Sequence, residues 1–358
     1  MLHEARRVAA DIGGLIGVDV DAATILGGRA AILNLNPPGR ISSGGATRLL
    51  PTADRWCAVA LPRDDDVAAL PALLEVDAVT SDLWDELTRW AATRSSDDVL
   101  ARTQLLDIAA AALGEASPEV PTVRACGAAA HPRRADGLLV VDMSSLWAGP
   151  LCGQLLVRAG AVVVKVESRS RPDGTRGGEP AFFDWMNSGK LSYAVDFNAE
   201  AEALHRLLCV ADIVLEGSRR SALRRRRLSA DDVSGRPGRI WLRVNGYRDQ
   251  PDRPAFGDDA AVAGGLVGAD ERGPVFCGDA IADPLSGLEA TRAIGESLRR
   301  GGGEVIDVAM AQVAARYAAL PPGPAVTCAR PAAPPASTLG ADNAAVERLV
   351  SEKLGAAC

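Results

Sequence analysis

The chain has 358 residues, of which 47% are hydrophobic and 24% charged, and its formal net charge is −7. This composition is typical of a folded protein of one or two domains and excludes a long disordered or collagen-like tract. The acidic balance argues against nucleic acid as a partner, because proteins that neutralise many phosphates carry an excess of Lys and Arg.

Cysteine usage and hydropathy exclude further classes of protein. The seven cysteines include no CxxC pair and are accompanied by only three histidines, so no metal site is expected. No stretch approaches the roughly 18 to 20 apolar residues of a membrane helix, and the first residues lack the apolar segment of a signal peptide. We therefore expect a cytoplasmic protein with reduced thiols and no membrane partner.

The first 134 residues mix strand-like and helical patterns. WCAVALP (56–62) predicts a strand, whereas DLWDELTRWAAT (82–93) and SDDVLARTQLLDIAAAAL (96–113) predict helices. The Pro-rich stretch at 117–137 predicts a linker. We place a domain boundary near residue 134, with a small domain over residues 1–134.

From about Gly137 strands alternate with helices. GLLVVDMS, PLCGQLLVRAG and AVVVKVE predict a strand, a helix and a strand. The pattern returns in KLSYAVDF, in a helix for which Asn198 is the predicted N-cap, and in the strands DIVLEG and RIWLRVNGY. Continuous apolar strands separated by helices predict an α/β fold whose mostly parallel sheet is covered on both faces.

The α/β region is expected to extend over residues 135–320. DPLSGLEATRAIGESLRR predicts a helix of about four to five turns, and EVIDVAM predicts one more strand before a helix. Residues 321–337 are rich in Pro and Ala and predict an extended connection to a last short helix, so that 321–358 form a C-terminal segment.

Familiar nucleotide and hydrolase motifs are absent. The first strand-to-helix turn has SSLWAGPLCGQ where a dinucleotide-binding fold needs GxGxxG. The chain also lacks GxxxxGK[ST], GxSxG and HExxH. These absences argue against the common NTPase, α/β-hydrolase and metalloprotease functions.

Several motifs in a fixed order resemble the family III CoA-transferases. LLVVDMSSLWAGPLCGQLLVRAGAVVVKVE (138–167) is similar to that family's opening, which has a strand ending in Asp, an AGP turn, a Gln-bearing helix and a VIKVE strand. NSGKLSYAVDF (187–197) resembles its NxGKxSxxxDL signature, and ADIVLEG with RRSALRRRRL and the segment 241–259 are further matches. The resemblance implies a Rossmann-like CoA-binding domain, a smaller α+β domain and an interlocked dimer.

The resemblance identifies Asp283 as the nucleophile, four residues before Gly287 in ADPLSGLEA. Local pattern alone predicts that Asp283 is a helix N-cap followed by Pro284 at the first helical position. The two roles are compatible, because a helix N-terminus would keep the carboxylate ionised. The implied activity moves CoA between carboxylic acids through an aspartyl mixed anhydride and an aspartyl-CoA thioester, with backbone N–H groups near a glycine turn stabilising the oxyanion.

Ligand contacts also follow from the resemblance. The family's CoA-binding positions fall on Ala148, Gly149, Gln154, Arg169, Lys190 and Arg225. Acyl-CoA and a carboxylic acid would be the substrates, no cofactor would be bound permanently, and a homodimer is the default expectation. By pattern alone, each charged residue of this set would be a solvated surface side chain. The basic run 219–227 would be a solvated loop or helix end, or else a docking site for the phosphates of a small anionic ligand.

Two departures keep other functions open. Gly217 replaces the Asn of the family's ENFRPG segment, and Gly257, Asp258 and Asp259 replace the G-H-D triplet of related racemases. An acyl-CoA racemase or isomerase and a non-catalytic CoA-binding subunit are therefore alternatives. Apolar residues between 246 and 276, such as Phe256, favour an apolar acyl group over one the size of oxalate.

The order of the domains differs from that of the family. The family's small domain follows the strand similar to EVIDVAM, whereas residues 46–124 of this chain resemble that small domain. PPASTLGADNAAVERLV resembles the segment that returns to the large domain. We therefore predict a rearranged order with the small domain first.

Overall fold

The computed structural model describes residues 1–35, 39–79, 82–233, 236–323 and 326–355. Its strands are β1 (Thr47–Pro51), β2 (Trp56–Ala60), β3 (Ala109–Ala112), β4 (Thr122–Ala125), β5 (Leu139–Met143), β6 (Val162–Ser168), β7 (Leu191–Val195), β8 (Ile213–Glu216), β9 (Ile240–Asn245), β10 (Val267–Asp270), β11 (Gly273–Phe276) and β12 (Glu304–Ala309).

The helices fall before, between and after these strands. They are α1 (Leu2–Ile16), α2 (Ala22–Leu33), α3 (Asp64–Ala68), α4 (Leu70–Leu74), α5 (Leu83–Ala92), α6 (Ser96–Leu105), α7 (Ala148–Arg158), α8 (Pro180–Asn187), α9 (Ala201–Val210), α10 (Arg220–Arg224), α11 (Gly257–Ala263), α12 (Ala282–Arg300), α13 (Met310–Ala318) and α14 (Asn343–Gly355). A 3₁₀ helix spans Gly174–Gly177. In the part of the chain that the structure describes, no helix is long and apolar enough to cross a membrane.

A seven-stranded sheet in the order β4-β12-β9-β8-β5-β6-β7 forms the centre of the fold. Neighbouring strands are parallel except at the edge, where β4 runs antiparallel to β12. The predicted α/β class and mostly parallel sheet are confirmed. The chain winds from β5 to β6 and β7 in one direction and to β8, β9 and β12 in the other, so the strand order reverses beside β5.

Each face of this sheet is covered by helices. On β5, Val140 points into a core shared with α1, α2, α7, α12 and α13, while the next residue, Val141, points into a core shared with α9, α10 and α14. Because both faces are buried, alternate positions of a strand can all be apolar. This burial explains the continuous apolar runs seen in the sequence.

A smaller antiparallel sheet, β1-β2-β3, packs beside the large one. One of its faces covers α4, α5 and α6, and the other contacts α11 and the β10–β11 hairpin. The predicted helix over residues 96–113 is wrong in its second half, because Ala109–Ala112 form the fully buried strand β3. Alanine favours a helix, but pairing with β2 overrides that preference.

The N-terminal helices lie on the large-sheet body. α1 and α2 share a core with α7 and α12, and Gly295 of α12 lets Leu15 approach closely, since a Cβ there would lie 2.8 Å from the Leu15 Cβ. Part of the predicted linker forms β4 and extends the large sheet. The division at residue 134 and the rearranged domain order stay predictions; within 1–134, only the region from β1 to β3 builds the separate small sheet.

Two predicted helix starts are corrected. α9 begins at Ala201 with Glu200 as its N-cap, while Asn198 donates its backbone N–H to Asp196. α12 begins at Ala282, so that Asp283 lies in the first turn and is not the N-cap. In the predicted connection, residues 321–323 and 326–337 form neither helix nor strand, while 324–325 and 356–358 lie outside the described residues.

Candidate active site

A cavity of about 190 Å³ opens at the carboxyl ends of the parallel strands. Its lining includes the residues that directly follow four of them, namely Ser144 after β5, Gly217 after β8, Gly246 after β9 and Met310 after β12. The cavity thus lies where the strand order reverses, which is where open α/β sheets bind their ligands. Gly217 has little space around it, because a Cβ there would lie 3.2 Å from the Ser144 Cα and Cβ.

The N-terminus of α7 reaches this cavity. Ala148 and Gly149 line it, and the backbone N–H of Ala148 donates to the carboxylate of Asp283. Pro150 has no N–H, and Leu151 donates to the carbonyl of Trp147. Among the first-turn donors of α7, only the Gly149 N–H has no acceptor in the described part of the chain, and it is free for a ligand.

Close packing of α12 on α7 brings Asp283 to this position. At Gly287 an added Cβ would lie 2.7 Å from Leu151 and 2.9 Å from the carbonyl oxygen of Ala148, so only glycine permits this approach. At Gly257, which opens α11, a Cβ would collide with the carboxylate of Asp283. Two glycines on different helices therefore make room for one carboxylate.

Burial raises the pKa of Asp283 to about 7. The cation of Arg29 opposes this shift, and so does the hydrogen bond from Ala148, whereas the neighbouring acids Asp258 and Asp279 reinforce it. The expectation that the helix N-terminus keeps Asp283 fully ionised is therefore corrected, because desolvation outweighs the helix. Asp283 therefore titrates near neutral pH, well above an ordinary aspartate.

Arg29 was not singled out from the sequence, although it is the cation that acts most strongly on Asp283. It extends from α2, forms a 2.5 Å ion pair with Asp279, and lies over the rings of Trp147 and Phe182. Trp147 directly precedes α7. The guanidinium thus contacts both the acidic cluster and the residue that leads into α7.

Asp258 lies beside this cluster. It accepts the backbone N–H of Ala280 at 3.0 Å and the hydroxyl of Thr47 at 3.3 Å, and burial with the repulsion of Asp279 raises its pKa to about 6. Ala280 has a φ of 41°, a left-handed conformation that costs energy for a residue with a Cβ. The carbonyl of Ala280 accepts the N–H of Asp283, so this strained turn fixes the start of α12.

Lys190, a predicted CoA contact, lies in the interior. Its ammonium group donates to the Asp142 carboxylate at 2.8 Å, the Pro150 carbonyl at 2.9 Å and the Asn187 side chain at 3.1 Å. A lysine has three N–H donors, so none remains for a ligand in this conformation. The contacts give Lys190 a structural role below the AGP turn.

A second buried pair holds the loop between β5 and α7. Lys165 forms a 2.8 Å ion pair with Asp173 and donates to the Ser144 carbonyl, while Asp173 accepts the N–H of Leu146. Leu146 has a φ of 70°, which this hydrogen bond helps to maintain. The loop 144–146 lines the cavity, so the buried charges shape the site without facing it.

The other predicted CoA contacts lie outside the cavity lining. Gln154 is on the second turn of α7, and its carbonyl oxygen is buried with no partner among the described residues. Arg169 is exposed and pairs with Glu200, and Arg225 is exposed at the end of α10. Of the predicted set, the structure brings together Asp283, Ala148 and Gly149 but not these three.

Three arginine side chains also line the cavity; Arg219 belongs to the basic run noted in the sequence, whereas Arg63 and Arg253 were not singled out from it. Arg63 comes from the small sheet, Arg219 follows β8, and Arg253 precedes α11. Asp283 is the one acidic residue in the described lining. The site therefore combines a single reactive carboxylate with a cationic wall.

A family model described as CoA-transferase family III matches residues 135–340 of the chain. The chain belongs to this family. The predicted resemblance is thereby confirmed, and the matched segment contains Asp283, the α7 turn and the strands that lead into the cavity. The first residues that line the cavity from the small sheet, such as Arg63, precede the match.

Named relatives share about a third of their aligned residues with the chain. A succinyl-CoA–D-citramalate CoA-transferase of Chloroflexus aurantiacus is 31% identical over an alignment of 197 positions, and the match covers 49% of each chain. A probable fatty acyl-CoA transferase of Mycobacterium tuberculosis is 34% identical over an alignment of 203 positions, and the match covers 50% of this chain and 51% of the relative. The chain thus spans about half the length of the curated relatives it matches.

Solved structures include similar chains. A crystal structure of a hypothetical protein from Mycobacterium tuberculosis has 31% identity and a TM-score of 0.47, and the match covers 53% of this chain and 56% of the other.

Among the residues with described positions, no group of three or more His, Cys, Asp or Glu side chains is arranged to hold a metal ion.

Proposed function

We propose that the chain transfers coenzyme A between carboxylic acids with Asp283 as the nucleophile. The observation that carries the proposal is the single carboxylate in the cavity, partly buried and bonded to the Ala148 N–H at the carboxyl ends of the parallel strands. Membership of the family and the names of the relatives, which are CoA-transferases acting on several acids, support this activity.

The transfer takes four substitutions at carbonyl carbon. A carboxylate oxygen of Asp283 attacks the donor thioester, the C–S bond breaks, and CoA thiolate leaves a mixed anhydride. The thiolate then attacks the aspartyl carbonyl, which releases the donor acid and forms an aspartyl-CoA thioester. The acceptor carboxylate attacks that thioester to give a second anhydride and thiolate. Attack of the thiolate on the acceptor carbonyl forms the new acyl-CoA and restores the Asp283 carboxylate.

The geometry contributes position and charge to these steps. Asp283 is held by Ala148, and the free N–H of Gly149 is available to an oxyanion that forms beside it. A carboxylate is a weak nucleophile, so fixed placement must supply much of the rate. A pKa of about 7 also leaves the group a better nucleophile than an ordinary carboxylate whenever it is ionised.

We also propose which residues contact coenzyme A. The backbone at Ala148 and Gly149 lies at the reacting end, and Gln154, Arg169 and Arg225 are proposed to meet the rest of the coenzyme along the outside of α7 and α10. No permanently bound cofactor is required by these steps. A homodimer is proposed from the family's interlocked arrangement, and acyl-CoA and a free carboxylic acid are the proposed partners.

A second candidate is an acyl-CoA isomerase. Asp258, at the middle of the Gly257–Asp258–Asp259 triplet, has a pKa near 6, and Asp283 near 7, so two carboxyl groups titrate close to neutral pH. Such a pair could remove and return a proton at the carbon beside the thioester. Solvent deuterium appearing at that carbon without acid exchange would identify this activity.

The test is intact-protein mass spectrometry after incubation with acyl-CoAs and hydroxylamine, which converts activated aspartyl groups to hydroxamates. We expect an adduct that maps to Asp283 in the wild type and is missing from Asp283→Asn. Asp231→Asn is the matched control, since Asp231 is a surface carboxylate paired with Arg124. Coenzyme A binding without an adduct from any thioester would refute the anhydride mechanism and leave the isomerase or a binding subunit.

A further inference from the structure

A strained turn leads into the helix that carries the nucleophile. Ala280, two residues before the start of α12, has a φ of 41°, and such a conformation persists only where the surroundings hold it. Its N–H donates to the carboxylate of Asp258 at 3.0 Å, and its carbonyl accepts the N–H of Asp283 at 2.9 Å. A single residue of the turn thus connects the Asp258 side chain to the backbone of Asp283.

The other oxygen of the Asp258 carboxylate is bonded to the small sheet. The hydroxyl of Thr47, the first residue of β1, donates to Oδ2 at 3.3 Å, and the hydroxyl of Ser42 also bonds to this carboxylate. Thr47 and Ser42 are both buried, and each donates its backbone N–H to the other, Thr47 to the Ser42 hydroxyl and Ser42 to the Thr47 carbonyl. The small sheet therefore offers Asp258 hydroxyl donors whose own positions are fixed.

Two adjacent acids at the start of α11 make different contacts. Asp259 turns back on its own helix, where its carboxylate accepts the Phe256 N–H at 2.7 Å. Asp258 forms no ion pair among the described residues, and its hydrogen-bond donors come from the turn before α12 and from the small sheet. At Gly257, a Cβ would lie 2.4 Å from the Ala280 carbonyl oxygen, so α11 lies directly on that turn. The Asp258 carboxylate thus joins α11 to both neighbouring elements.

From these contacts we infer that Asp258 is a positioning residue, which holds the turn before α12 against β1 of the small sheet and thereby fixes the reacting carboxylate of Asp283. Thr47 is the residue through which the small sheet takes part. This inference rests on the proposed function. Thr47 precedes the segment 135–340 that matches the family model, so a part of the chain outside that match fixes the nucleophile inside it.

Two other roles for Asp258 make different demands on its side chain. Its negative charge raises the pKa of Asp283, and a group that carries a proton in the reaction must itself titrate. Asp258→Asn removes both the charge and the titration but keeps an oxygen that accepts the Ala280 N–H, and the Thr47 hydroxyl can turn to accept from the amide. Asp258→Ala removes the charge, the titration and the acceptor. Comparison at pH 9, where Asp283 is ionised in every variant, leaves position as the difference between the two.

The test measures the rate at which hydroxylamine labels Asp283 at pH 9 with acetyl-CoA, butyryl-CoA or succinyl-CoA as the donor, at increasing thioester concentration. Asp258→Ala should lower the maximal rate about 100-fold, the effect of a misplaced reacting group, while the half-saturating concentration stays within about twofold. Asp258→Asn should keep the maximal rate within about threefold of the wild type, because its amide still holds the turn.

The contact with the small sheet is tested separately. Thr47→Val keeps the β-branched shape and removes one hydroxyl, so the maximal rate should fall about tenfold, the order of magnitude of one lost hydrogen bond to a charged group. Thr47→Ser should restore most of that rate. Thr52→Val is the matched control, since it removes a hydroxyl that donates to the exposed Asp54 at 2.8 Å just after β1, and it should not change the rate.

Thermal melts identify the folded variants, and Thr47→Val tests the contact even where Asp258→Ala does not fold. A rate for folded Asp258→Asn as low as that of Asp258→Ala would overturn the inference and assign Asp258 a proton-transfer role. A change confined to the half-saturating concentration would overturn it in favour of ligand binding. Wild-type labelling rates in folded Thr47→Val and Asp258→Ala would also overturn it and leave the proposed transfer intact, whereas a wild type that is labelled with none of the three thioesters would refute both.

Discussion

Replacing Arg29 by Met should move the acid limb of the activity profile to higher pH. Arg29 is the main opposing charge to the burial that raises the pKa of Asp283 to about 7, and its guanidinium also pairs with Asp279 and lies over the Trp147 ring. Loss of a neighbouring opposite charge raises a carboxyl pKa by about one unit or more. With a pKa near 8, the ionised fraction at pH 7 falls from about one half to about one tenth.

The expected result is a roughly fivefold loss of exchange rate at pH 7 that disappears near pH 9, where Asp283 is ionised in both proteins. Arg29→Lys keeps the charge and should keep the limb in place, although it loses the planar contact with Trp147 and Phe182. Asp279→Asn removes an acid that raises the pKa of Asp283 and should move the limb the opposite way.

The assay is the pH dependence of kcat/KM for exchange of a labelled carboxylic acid with its own acyl-CoA, with thermal melts to confirm folding. Coincident limbs for the Met and Lys variants, with both proteins folded, would refute the electrostatic role of Arg29. A shift of the Asp279→Asn limb to higher pH would do the same. A rate loss in Arg29→Met that is constant from pH 6 to 9 would indicate misplacement of α7.

Further predictions concern the groups that support the site. Asp259 is fully buried, and burial raises its pKa from the ordinary 3.8 to about 8. Folding therefore takes up a proton between these two pH values, and the free energy of unfolding declines as pH rises from about 4 to 8. Asp259→Asn should stabilise the protein at pH 7 by up to about 4 kcal/mol and have little effect near pH 4, as measured by urea unfolding at several pH values. Gly257→Ala should lower kcat by about 100-fold, because its Cβ would lie 2.3 Å from the Asp283 carboxylate and 2.4 Å from the Ala280 carbonyl oxygen, so both the carboxylate and the turn before α12 must move; circular dichroism and thermal melts would show how much of the fold is retained. Lys190→Met should lower the free energy of unfolding by about 3 to 5 kcal/mol, because it leaves Asp142 buried without its cation. Adding Asp142→Asn should recover part of that free energy in urea unfolding. Equal stability of the single and double variants would contradict the pairing.

The large sheet could be predicted from sequence because its strands are buried on both faces. Val140 and Val141 point into different cores, so both must be apolar, and the run GLLVVDMS is distinct from an amphipathic helix. The small sheet was harder to predict. The alanines of β3 carry no strand preference, and only their pairing with β2 makes them extended.

Some residues of the candidate site could be predicted from the sequence, and others could not. The resemblance to the family singles out Asp283 and the turn at Ala148, and the structure brings both to the same cavity, whereas local pattern alone indicates only a helix cap at Asp283. Arg29 is 250 residues from its partner Asp279 and sits in a helix of small residues, where nothing local distinguishes it from a solvated charge. Lys190 is the reverse case: the motif draws attention to it as a ligand contact, but nothing in the sequence indicates that its three donors bond to Asp142, Pro150 and Asn187.

These assignments lead to one physical account of how the site handles charge. Lys190 and Lys165 neutralise acids beneath the loop and so fix its backbone, while Arg29 is set against a nucleophile that burial would otherwise keep protonated. Buried pairs of the first kind contribute rigidity but no reactivity, because their charges are cancelled before a ligand arrives. The charges around Asp283 do not cancel, because two further acids face one arginine, and together with burial they hold its proton more tightly than an ordinary carboxyl group does. A carboxylate with a pKa of about 7 is a better nucleophile than an ordinary one when it is ionised, and it can still leave as an anion at neutral pH, as the proposed anhydride steps require.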